Sequence, residues 1–184
     1  MDGLRQSSWF GSAMVAVAMF GWLLIVLALN AAVAHRDPNV EVPIELGLGV
    51  VVNPADGWYS AADRWEVGEH AVSLQHSGVY VAFWAEEYRG TNDQYLSEAV
   101  AALEREYESF STLPPASVRV AGDLRGLMAH FSGVSPSLGR EEGELAVVTH
   151  RGVGVVMWAR AVPGQVTWAQ GDLEYMLSRL VMAR

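Results

Sequence analysis

The chain has 184 residues, 51% of them apolar, no cysteine, and a formal charge of −9 in which every basic residue is arginine. Without cysteine there is no disulfide, thiolate metal site, thiol nucleophile or lipid-bearing residue, so any membrane anchor must itself be protein. An acidic surface repels phosphate backbones and anionic headgroups, which argues against nucleic acid as a partner and against flat docking onto lipid.

Residues 1–8 read as a short cytoplasmic tail. Residues 9–34 (WFGSAMVAVAMFGWLLIVLALNAAVA) then run without a charge. As a helix at about 1.5 Å per residue this stretch outreaches a hydrocarbon core of roughly 30 Å. Ala32-Val33-Ala34 resembles a signal-peptidase site, but a cleavable apolar region is normally only about 7–15 residues long. The stretch is therefore expected to stay as a transmembrane signal anchor. Arg5 and Arg36 balance one another across it, and no further basic residue follows until Arg64. The basic-poor side translocates, placing the rest of the chain on the extracytoplasmic side of a cell membrane crossed once.

Residues 35–45 carry Pro38 and Pro43 and read as an extended tether. From 46 to 184 the pattern is that of one folded domain. Residues 46–53 predict a strand, closed by the turn Pro54-Ala55-Asp56-Gly57, and 59–67 a weaker one. Residues 71–76 and 78–85 predict a strand pair joined at Ser77-Gly78. A helix follows, capped by Thr91 or Asn92, with Leu96, Ala99, Val100, Leu103, Tyr107 and Phe110 at spacings of three and four; Pro114-Pro115 stops it.

Beyond the prolines, 117–121 and 126–132 are extended, and 133–143 reads as a polar, acidic loop. Residues 143–150 and 153–162 predict a hairpin through Arg151-Gly152. A closing helix covers about 168–182, with Thr167 and Gln170 as a capping box and Leu173, Met176, Leu177, Leu180 and Val181 as its buried stripe. Short connections make the sheet mainly antiparallel, and strands apolar on both faces need cover on both faces. The expected class is α+β: an α/β/α sandwich around a mainly antiparallel sheet of about six or more strands, preceded by one transmembrane helix.

Several stretches carry a resemblance. They are the first strand running into Pro54-Ala55-Asp56-Gly57-Trp58, the strand pair before the long helix, the glycine-started strands at Gly126 and Gly152, and the closing LEYMLSRLV from Leu173. In these the chain resembles the Mog1/PsbP-like family, in its exported actinobacterial branch, over nearly all of the exported part. The resemblance implies an antiparallel sheet between helices and a generally non-catalytic habit, as assembly factors, partner-binding modules or envelope lipoproteins. The chain departs from the lipoprotein members by using a helix where they carry a lipid-bearing cysteine. It brings no catalytic residues with it.

Chemical motifs are sparse. His70 and His76 share strand parity, and His130 and His150 fall on later strands, but none stands at metal-ligand spacing to a partner. No nucleophile elbow, phosphate loop or dinucleotide fingerprint occurs, so no cofactor is expected. Glu86-Glu87 and Glu141-Glu142 are adjacent pairs that a strand points to opposite faces. The second pair, in an expected exposed loop, reads as a weak cation site or a partner-facing patch. Trp84 and Trp158 belong in the core. Trp58, Tyr59 and Trp65, beside the turn after the first strand, are the expected edges of a binding groove.

The functional expectation is a membrane-anchored, non-catalytic binding or scaffold domain, an accessory subunit or assembly partner of a membrane complex. The alternative is a binder or carrier of an envelope lipid or small apolar ligand, held in a cavity between sheet and helix. An enzyme would have to gather His70, His76, Glu86 and Glu87 in one cleft.

Overall fold

The computed structural model describes residues 42–61 and 69–183. The tail, the uncharged stretch 9–34 with its expected span, the tether up to residue 41, and Trp65 lie outside the described residues. Among the described residues no helix is long and apolar enough to cross a membrane.

The first expected strand is in fact a hairpin. Strand β1 (Ile44–Gly47) takes the last tether residues and turns back into β2 (Val50–Val52). Gly47, Leu48 and Gly49 all have positive φ, at 85°, 52° and 76°. Two glycines make that reversal inexpensive where branched residues would resist it. An apolar run without alternation gives no sign of such a fold-back.

Along the chain follow β3 (Tyr59–Ser60), β4 (Ala71–His76), β5 (Val79–Glu87), α1 (Asn92–Glu104), β6 (Ser109–Thr112), β7 (Ala116–Val120), β8 (Leu124–Ser135), β9 (Gly139–His150), β10 (Val153–Ala161), α2 (Val166–Ser178) and β11 (Val181–Met182). The large sheet has eight strands in the order β3-β4-β5-β10-β9-β8-β6, with β7 also pairing β8. A small sheet runs β1-β2-β11. Every pairing among the described residues is antiparallel. The hairpins through Ser77-Gly78 and Arg151-Gly152 stand where the sequence puts them.

The expected polar loop at 133–143 is instead the tip of the longest hairpin. Strands β8 and β9 stay paired out to Ser135↔Gly139. Backbone ladders ask for no apolar side chains, and here the polar ones find partners across the sheet, as shown below.

Alternation along the central strands sends side chains to two different cores. Val155, Met157 and Ala159 of β10 join Leu74, Val81, Phe83, Val148, Leu173 and Met176 on the α2 face. Val156 and Trp158 join Leu145, Val147, Phe131, Tyr95, Leu96 and Leu103 on the α1 face. The small sheet, through Leu46, Val50 and Val52, shares the α2 face. Each fully buried Leu or Met contributes about 1.5–3 kcal/mol relative to exposure. Both faces are therefore covered, as an α+β sandwich requires.

Helix α1 starts on a reciprocal cap. The Gln94 amide donates to Thr91 Oγ1 at 3.3 Å, and the Thr91 amide to Gln94 Oε1 at 3.0 Å. It ends at Glu104, well before Pro114-Pro115. Phe110 of the expected stripe belongs to β6, where it stacks on Phe131 at 5.6 Å. Strand and helix deliver that ring to the same cluster, so the periodicity misleads. Helix α2 starts two residues earlier than expected and lacks the Thr167–Gln170 box; its N-cap is Gln165, with no side-chain capping bond. It stops at Ser178 because Val181 and Met182 leave to pair with Val51 and Val50.

Candidate functional site

The expected groove of Trp58, Tyr59 and Trp65 does not take shape around Trp58. That residue has no exposed surface. Its ring stands 5.8 Å from His76, and its Nε1 donates to Asp172 Oδ2 at 2.9 Å. An indole joins a large apolar body to one donor, so it suits the core when an acceptor is supplied, and α2 supplies it. Tyr59 is half-buried in β3 opposite Gln75. Trp65 is outside the described residues.

The histidines and the β5 carboxylates are also separated. His70 and His76 donate from Nδ1 to the carbonyls of Leu46 and Gly57, at 2.9 and 2.8 Å, tying loops to the end residues of the β4 segment. His76 faces the α2 side. Glu86 faces the α1 side and accepts from Tyr95 Oη at 2.7 Å. Burial, that hydrogen bond and the Glu86 charge push the Tyr95 phenol well up. No group of three or more His, Asp or Glu positioned for a metal ion occurs among the described residues.

Polar side chains do converge where α2 stops covering the large sheet, toward its β6 edge. Register sets two rows on that face. Ser111 lies opposite Ser132, and Ser132 opposite Glu142; His130 lies opposite Glu144. The two serine hydroxyls are 3.0 Å apart. His130 Nδ1 stands 3.4 Å from Glu144 Oε1, and Glu142 Oε1 accepts from the Gly164 amide at 2.6 Å. Thr167 and Gln170 of α2 form the opposite wall of a groove of about 540 Å³. Glu144 is only 3% exposed. Burial pushes its carboxyl up, His130 opposes that, and the Glu174 charge adds to it. The groove thus presents acceptors and negative charge.

The outer face of α2, beside this groove, is aromatic. Trp168 is 90% exposed and Tyr175 45%. Seven residues apart, they lie on one line along the helix, with Gly171 between them. A Cβ at Gly171 would meet nothing within 4 Å, so no packing inside the domain calls for glycine there. The signal was legible in sequence: at 3.6 residues per turn these three fall opposite the stripe Leu173, Met176 and Leu177.

Glu141, expected in an exposed loop with Glu142, is a core residue at 5% exposure. Tyr107 Oη donates to its Oε2 at 3.0 Å, and Arg160 Nη1 stands 3.6 Å from its Oε1. Burial and the Glu141 charge push the Tyr107 phenol up. Glu142 projects to the other face of the same strand, as adjacency demands. Trp158 is buried and Trp84 half-buried, both on the α1 face. A second cavity of about 630 Å³ lies at the far end of α2, with Asp123, His150 and Arg179 among its walls.

No family model matches the chain, and no curated protein matches it. Solved structures are similar to it in fold. Cyanobacterial PsbP (CyanoP) from Synechocystis sp. PCC 6803 aligns with a TM-score of 0.52 at 9% identity, covering 72% of this chain and 86% of that one. The Ran-binding protein Mog1p of Saccharomyces cerevisiae aligns at 0.48 and 11% identity, over 76% and 85%. The CyanoP likeness shows that the described domain has the Mog1/PsbP-like fold expected from the sequence.

Proposed function

We propose that the protein is a membrane-anchored, non-catalytic extracytoplasmic domain that binds a protein partner, as an accessory subunit or assembly partner of a membrane complex. The observation that carries this reading is the exposed ring of Trp168, aligned with Tyr175 across Gly171 on α2. An indole covers roughly 150–250 Å². At about 25 cal/mol per Å², leaving it in water forgoes several kcal/mol that a partner would recover. Aromatic anchors of this kind dominate protein interfaces. The uncharged stretch 9–34 supports the tether, and the acidic body supports a docking face turned away from anionic headgroups.

A carrier of lipid or another apolar ligand needs a mostly apolar cavity. Both large cavities among the described residues carry charged residues on their walls, which favours the protein partner. The test is purification of the full chain, tagged at its carboxyl end, from native membranes in mild detergent. A stoichiometric protein should accompany the wild type and be lost from a Trp168→Ala/Tyr175→Ala variant whose circular dichroism is unchanged. A lone monomer with its anchor intact overturns the reading.

A further inference from the structure

Two carboxylates in the groove beside the aromatic ridge have spare capacity. Glu142 commits Oε1 to the Gly164 amide, and Glu144 commits Oε1 to His130. Oε2 of each has no hydrogen-bonding or ionic partner among the described residues. Two residues apart on β9, they project from the same face, roughly 7 Å from one another. Glu174 on α2 brings a third negative charge near Glu144. Among the described residues no arginine lines the groove. Burying a carboxylate in such company is costly unless a cation meets it. Among the described residues His130, half-exposed at the rim, is the one basic side chain beside them.

We infer that the protein partner inserts an arginine side chain into this groove, its guanidinium meeting Glu142 and Glu144, while an apolar part of the partner covers Trp168, Gly171 and Tyr175. Charge complementarity selects this occupant: the chain carries −9 overall, and the groove concentrates that sign where α2 leaves the sheet open. A guanidinium offers five donors in a planar fork, which suits two carboxylates flanked by hydroxyls better than the compact ammonium of lysine does. The Ser111 and Ser132 hydroxyls and the Gln170 amide line the path of its stem. The inference rests on the partner-binding reading and names the chemistry of that partner.

The probe is N-acetyl-arginine methylamide, titrated into the ¹⁵N-labelled full chain in an uncharged detergent, with the citrulline counterpart as its neutral isostere. Amide shifts at Glu142, Gly143 and Glu144 should saturate with the arginine compound only. Affinity should fall about tenfold in Glu144→Gln and also in Glu142→Gln, whose more exposed side chain makes misfolding a poor explanation. Equal shifts from the citrulline compound, or shifts unaltered in both variants, overturn the inference. Native-membrane capture separates the two readings. Loss with Trp168→Ala but not with either glutamine variant overturns the arginine and leaves the partner standing; indifference to all three overturns both.

Discussion

Trp58 and Asp172 are 114 residues apart in sequence and 2.9 Å apart in space, the indole Nε1 donating to Oδ2. The bond ties the turn after β2 to the middle of α2 and leaves the buried indole without an orphan donor. Asp172→Ala removes the acceptor and keeps the ring. It should cost about 1–3 kcal/mol, the penalty of an unsatisfied buried donor. Chemical denaturation of the folded domain measures it; stability equal to wild type would show that water replaces the carboxylate.

Trp168→Ala should act in the opposite pattern. With 90% of the residue in solvent, its loss should change folding stability by less than about 0.5 kcal/mol. Partner affinity should fall by at least roughly thirtyfold, the signature of an aromatic hot spot worth about 2 kcal/mol. Thermal melts and quantitative capture on one preparation read both numbers.

Gly171→Ala separates stability from binding more sharply. Glycine in a helix interior costs about 0.8–1 kcal/mol relative to alanine, and here the added Cβ meets nothing. The variant should melt higher than wild type and yet hold its partner less well, because the methyl group occupies the seat between the two rings. A more stable variant with unchanged capture would remove Gly171 from the docking face.

Tyr107→Phe tests the buried carboxylate on the other side of the sheet. Glu141 would keep Arg160 and lose the phenol donor at 3.0 Å. A charge-assisted bond of this kind is worth about 1.5–3 kcal/mol, and the ring itself stays in place. Denaturation midpoints at neutral pH provide the comparison.

Glu144 ties stability to pH. Its folded carboxyl titrates above the ordinary range because it is buried, so ionisation opposes folding. Its contribution is complete below the unfolded value, near 4.3, and is lost as pH rises through the folded one. Glu144→Gln stays neutral and escapes that loss. It should melt above wild type at pH 7 and converge with it near pH 4. A wild type that is the more stable at pH 7 would mean that His130 more than offsets the burial.

Most of the sheet was legible because its strands alternate or are flanked by unmistakable turns. The hairpins at Ser77-Gly78 and Arg151-Gly152, and the cap at Thr91, were each specified by a few neighbouring residues. The errors share a cause. The fold-back at Leu48, the end of α1 at Glu104 and the strand through Glu141–Glu144 were decided by backbone pairing, of β1 with β2, β6 with β8 and β8 with β9, which the pattern of side chains does not encode. Trp58 and Glu141 show the same limit in single residues. One lies by a turn and the other in an acidic run, yet both are buried because distant Asp172, and distant Tyr107 with Arg160, satisfy their polar atoms.

By itself the sequence determined the α+β class and the antiparallel sheet with a helix on each face, since these follow from apolar periodicity and turn chemistry; the Mog1/PsbP-like fold came from resemblance in short stretches such as the turn into Trp58 and the closing helix. The tertiary structure alone decided which polar groups are buried. Burial depends on what the rest of the chain brings alongside, so it placed Glu142 and Glu144 together in a groove and closed Trp58 into the core, whereas helical spacing had already set Trp168 opposite the buried stripe of α2.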